Sequence, residues 1–93
     1  MAVVYIPSLL RNLTGNIEKV NVPGRTVRDI IDTLEEMYPG IRDRLCDIEN
    51  GARIRPNIAL IVDGVRSANG LRTTVNPDSE VHFVPAIQGG SVA

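Results

Sequence analysis

Ninety-three residues with 43% hydrophobic and 23% charged side chains describe one small folded domain, too apolar for a disordered chain and too mixed for a membrane protein. A net charge of −1 and an isoelectric point near 5.7 argue against nucleic acid, whose binding depends on Lys and Arg neutralising phosphates. A single cysteine and a single histidine exclude an internal disulfide and leave little for a zinc site or a Cys-His pair, which fits a reducing, cytoplasmic setting. No apolar run nears the roughly 20 residues that span a bilayer, and Met1–Tyr5 lacks the charged start of a secretory leader, so no membrane partner is expected.

Aromatic residues make up only 3%, so the core must be built from Val, Ile and Leu, which pack well on pleated strands. The first strand runs Ala2–Ile6 and is closed by Pro7. After Leu9, Leu10 and a turn at Thr14-Gly15, residues Ile17–Val22 roughly alternate polar and apolar, and so predict the second strand of an antiparallel hairpin. Pro23-Gly24 ends it.

A helix follows, with Thr26 as its cap and Asp29 completing a Thr-x-x-Asp box at the positive end. Val27, Ile30, Ile31, Leu34, Met37 and Tyr38 form one apolar stripe, and Asp32, Glu35 and Glu36 read as its solvated side. Pro39-Gly40 stops the helix, Ile41–Leu45 adds a short helical turn, and Cys46–Pro56 reads as a long loop. Asn57–Val62 is apolar on both faces, as a central strand is. Asp63-Gly64 turns into a short edge strand, Val65–Ser67; Asn76–Ser79 is another turn, and Glu80–Pro85 is the last strand. The order β-β-α-β-β-β predicts an α+β fold, a mixed sheet grasping one helix, with the first and last strands parallel if they lie side by side. Residues 1–87 form this domain and 88–93 a flexible tail.

Little inside the domain reads as catalytic. Cys46 is a packing or loop cysteine, because a reactive thiol needs a lowered pKa. His82 alternates with Val81 and Phe83 and points off the core, with no visible partner for acid–base work. The arginines from Arg42 to Arg55 read as a wet loop, with contact to an acidic partner as the alternative. The tail differs. Gly89-Gly90 follows the last strand after a spacer of Ala86, Ile87 and Gln88; two residues without side chains can thread a narrow channel and present a carbonyl unobstructed.

On Thr26-Val27, the stretch Leu34–Gly40, the strand and turn from Asn57 to Gly64, and Asp78–Pro85 running to Gly89-Gly90, the chain resembles the ubiquitin-like β-grasp proteins, and among them the ThiS/MoaD-type sulfur carriers. The stretch Cys46–Pro56 and the Pro85-Ala86-Ile87 ending resemble the CysO-like subtype. The resemblance implies a protein cosubstrate, not an enzyme, with no bound cofactor. A MoeB/ThiF-like adenylating enzyme would spend ATP to join the terminal glycine to AMP, and a sulfur donor would convert it to a thiocarboxylate. The acceptor would be a PLP-dependent cysteine synthase; in a MoaD-like alternative the partner is the large subunit of molybdopterin synthase. A ubiquitin-like modifier attached through Gly90 is a third reading, and a plain binding module with an inert tail a fourth.

The sequence departs from that family in one respect: Ser91-Val92-Ala93 follow the second glycine. Gly90 then carries an amide, and the expected step is hydrolysis of the Gly90–Ser91 bond by a JAMM-type zinc peptidase, which yields the carboxylate; the alternative is the tail of a carrier that has lost its activity. Aligning the last strand with ubiquitin from the glycines places Ala59, Ile61, His82 and Val84 on the partner-binding side, with Ile87 and Gln88 leading to the tail. Leu60, Val62, Val81 and Phe83 fall on the core side.

Overall fold

The computed structural model describes residues 1–47 and 53–85. Five strands form one mixed sheet: β1 (Ala2–Tyr5), β2 (Lys19–Val22), β5 (Ile58–Val62), β6 (Val65–Arg66) and β7 (Glu80–Pro85), in the spatial order β2-β1-β7-β5-β6. β1 and β7 lie at its heart and run parallel, Val4 opposite Val81 and Tyr5 opposite His82. The other pairs are antiparallel. This is the predicted β-grasp arrangement.

The helix α1 (Val27–Met37) packs its stripe on one face of the sheet. Val27, Ile30, Ile31 and Leu34 are buried against Val4, Val22, Leu60, Val81 and Phe83. Thr26 caps the helix, its side-chain oxygen accepting from the Asp29 amide at 3.2 Å. The Asp29 carboxylate reaches one residue further back than a capping box would take it, to the Arg25 amide at 3.1 Å. Gly24 (φ +153°) is required here, because a Cβ would lie 2.9 Å from that of Asp29. Met37, expected in the stripe, is 44% exposed. At about 100° per residue it falls roughly 70° from the stripe's centre, on the helix flank.

Other departures from the sequence reading are local. β2 begins at Lys19, not Ile17, since the Glu18 carbonyl bonds the Ile6 amide beyond the end of β1 and Ile17 is exposed. The expected loop after α2 (Ile41–Leu45) contains a two-stranded ribbon, β3 (Cys46–Asp47) with β4 (Arg53–Ile54), Cys46 opposite Ile54. Its apolar members pack on the core, a reward that polar composition concealed. The acidic helix side is exposed at Asp32 and Glu36, as expected, but it also ties the two helices together. Glu35 accepts from the amides of Gly40 and Arg42 and ties α1 to α2, while Asp32 pairs with Arg42 at 3.0 Å. The hydrogen bonds hold the Glu35 carboxyl below the usual carboxylate range, those from the Arg42 and Gly40 amides being the main causes.

Candidate functional site: the open sheet face and the root of the tail

α1 covers one face of the sheet, and strand register decides what the opposite face displays. One residue from each strand falls in line across it: Lys19, Tyr5, His82, Ile61 and Arg66. A cation therefore stands at each end of a row whose middle is aromatic and apolar. Toward the end of β7 the same face carries Val84 opposite Ala59. Ile61, His82 and Val84 are half-buried, whereas Ala59 is only 7% exposed. Its methyl lies on this face outside the core cluster, so it forms the floor of the patch.

The sequence reading brought Ala59, Ile61, His82 and Val84 to one face, and the structure places them together there. It missed Tyr5. The rings of Tyr5 and His82 stack 4.1 Å apart with 5° between their planes. Strand alternation puts Tyr5 outward, but only the parallel β1–β7 pairing brings it beside His82. His82 therefore has a neighbour in Tyr5 that its surroundings in sequence did not suggest, and the Glu80 carboxylate, two residues back on the same strand face, lies 3.7 Å from its Nε2. Of the core-side residues, Leu60, Val81 and Phe83 are buried and Val62 is half-buried against the core.

β7 ends at Pro85, opposite Ile58. Beside this root lies a hollow of about 150 Å³ bordered by Pro7, Leu9, Asn57, Ile58, Val84 and Pro85, with Leu9 75% exposed. Ile87, Gln88, Gly89, Gly90 and Ser91, and the boundary proposed at 87/88, lie outside the described residues.

Cys46 is buried, and desolvation raises its thiol pKa despite the arginines nearby. That is the reverse of what a nucleophile needs. Among the described residues no three His, Cys, Asp or Glu side chains group in a way that could hold a metal ion, and no helix is long and apolar enough to cross a membrane.

The ThiS family matches residues 4–90, from the first strand to the second glycine. The chain belongs to the ThiS family. It is 34% identical over 89 residues to the sulfur carrier protein CysO of Mycobacterium tuberculosis, covering 94% of this chain and 96% of that one. Among solved structures it is similar to CysO in the BexX/CysO complex of Amycolatopsis orientalis, with a TM-score of 0.85 and 32% identity, over 97% of this chain and all of that one. The crystal structure of M. tuberculosis CysO matches with a TM-score of 0.87 and 30% identity, over 92% and 99%. The small archaeal modifier protein 1 of Methanosarcina acetivorans, at 20% identity and a TM-score of 0.78, shares the fold. This member of the ThiS family is thus CysO-like over nearly its whole length.

Proposed function

We propose that Gly90 is the residue through which this CysO-like sulfur carrier protein is loaded and unloaded. The observation that supports this most directly is that the family match runs to residue 90, the second of the two glycines, while the scaffold before it offers a buried, deactivated thiol and a histidine stacked on Tyr5. The chain is a carrier acted on by other enzymes, working in the cytoplasm.

Three steps follow from the chemistry. A JAMM-type zinc peptidase hydrolyses the Gly90–Ser91 amide, releasing Ser-Val-Ala and leaving the Gly90 carboxylate. A MoeB/ThiF-like enzyme then directs that carboxylate onto the α-phosphorus of ATP, expelling pyrophosphate and forming an acyl adenylate. AMP turns a poor electrophile into a good one, and a sulfide-class donor attacks the carbonyl carbon, AMP departs, and a thiocarboxylate remains. Tethered sulfur reaches its acceptor at high effective concentration without free sulfide being released. The acceptor is an activated serine derivative held by a PLP-dependent cysteine synthase, and ATP and the sulfur donor belong to the activating enzyme.

The carrier's own part is to be held while its tail is worked on. Ile61 and Val84 over the Ala59 floor, with the Tyr5–His82 stack, supply an apolar docking face, and Ile87 and Gln88 lead from it to Gly89-Gly90. The BexX/CysO complex shows that a similar protein is held by a partner.

Intact-mass spectrometry tests the sequence of steps. Incubation with a cognate peptidase is expected to remove Ser-Val-Ala; activating enzyme, ATP and sulfide then exchange one oxygen for sulfur. A trimmed chain that accepts neither AMP nor sulfur refutes the reading.

A further inference from the structure

Five of the chain's nine arginines gather around two adjoining hollows on the side of the molecule beyond β5. The first, about 290 Å³, is bordered by Arg53, Arg55 and Arg66 along β5 from Ile58 to Leu60. The second, about 500 Å³, is bordered by Arg28 of α1, Arg53, and Arg72 of the short 3-10 turn Gly70–Arg72. They share Arg53, Ala68 and Gly70, so the basic surface is continuous. Arg28, Arg53, Arg66 and Arg72 are exposed.

Among the described residues no Asp or Glu borders either hollow. The carboxylates nearest on α1 are engaged elsewhere, Asp29 with the Arg25 amide and Asp32 with Arg42. Asp47 stands opposite Arg53 across the β3–β4 ribbon and has interactions of its own; offsetting one arginine, it leaves an excess of positive charge among the described residues. Collecting like charges on one face does not help a chain of net charge −1 to fold.

We propose that this arginine-lined surface docks a carboxylate-rich patch of a partner protein. Guanidinium forks match carboxylates in paired geometry, and their weak hydration makes them suited to interfaces. The surface reaches β5 where Ile58 and Ala59 pair with Pro85 and Val84, so a partner gripping it sits next to the point where the tail leaves the sheet. Nucleic acid fits less well: no aromatic residue borders the hollows to stack on a base, and the whole chain is slightly acidic. The proposal does not depend on the chemistry of Gly90.

Its test uses the full chain, ¹⁵N-labelled and titrated with poly-L-glutamate at low and high salt. The amides of Arg28, of Arg53 to Arg55 and of Arg66 to Arg72 are expected to shift together, and the shifts to vanish at high salt because such charges act over about 10 Å at 0.1 M. The double variant Arg28→Glu/Arg72→Glu loses about tenfold or more in affinity, Arg28→Ala/Arg72→Ala loses less in the same direction, and Arg25→Glu/Arg44→Glu changes it little. Amide dispersion confirms that each variant is folded. Absence of binding, shifts spread equally over Arg25 and Arg44, or tighter binding of a mixed-sequence single-stranded oligonucleotide at the same amides each overturn the proposal.

Discussion

Asp63 and Ser79 fasten three parts of the sheet together. The Asp63 carboxylate accepts from Ser79 Oγ at 2.8 Å and from the Glu80 amide at 2.9 Å, while the Ser79 carbonyl accepts from Val3 at 2.9 Å. Asp63 (φ +53°) and Gly64 (φ +82°) form the tight turn between β5 and β6, so this contact joins the turn to the start of β7 and to β1.

Those bonds hold the Asp63 carboxyl below its usual range, the Glu80 amide first and the Ser79 hydroxyl second. Folding therefore favours the ionised form. Its contribution is complete above the unfolded-state pKa and is lost as pH falls through the depressed folded value. Glu35 acts in the same sense. Urea midpoints measured between neutral and acid pH are expected to drop on the acid side in the parent and to drop less in Asp63→Asn, which keeps the positive φ accessible. An unchanged acid slope in Asp63→Asn and Glu35→Gln refutes the assignment.

Ile61→Asp places a charge in the middle of the cross-strand row without touching the core cluster. Binding to an activating enzyme or a sulfur-accepting synthase is expected to fall by about tenfold or more, with circular dichroism unchanged. Loss of the folded spectrum instead means that Ile61 supports the core.

The Tyr5–His82 stack is a cross-strand pair, and such pairs contribute about 0.5–1 kcal/mol beyond the area they bury. A double-mutant cycle with Tyr5→Ala and His82→Ala, read by urea unfolding, is expected to return a coupling of that size. Additive losses would show two independent side chains.

Phe83, 2% exposed, is the largest fully buried side chain. Phe83→Ala is expected to cost about 3–5 kcal/mol, enough to leave a domain of this size marginal. A loss below about 1 kcal/mol in denaturant unfolding contradicts the packing described.

Cys46 is 3% exposed, with its thiol pKa raised by burial. Native protein is expected to resist iodoacetamide at mildly alkaline pH, while urea-unfolded protein is alkylated quickly. Rapid labelling of the folded chain would overturn the view of Cys46 as a packing residue.

Local rules made much of the fold legible. Thr26 and the stripe from Val27 to Leu34 announce a capped helix with one buried face, and Asp63-Gly64 announces a tight turn, because these signals lie within a few residues of one another. The family resemblance supplied the faces of β5 and β7, and alternation alone then sorts Ile61 and His82 from Leu60 and Phe83. The β3–β4 ribbon escaped notice, since two-residue strands carry no readable period.

The chain by itself determined its main helix, the five strands of its large sheet, their apolar faces and the place of Gly89-Gly90 just after the last strand, all of them encoded in short-range spacing. Tertiary structure alone decided which distant residues became neighbours. The parallel β1–β7 pairing stacked Tyr5 on His82, strand register lined Lys19 up with Arg66 across five strands, and packing brought Arg28 beside Arg53 and Arg72. Register and packing depend on contacts between segments far apart in sequence, where no local periodicity carries the information.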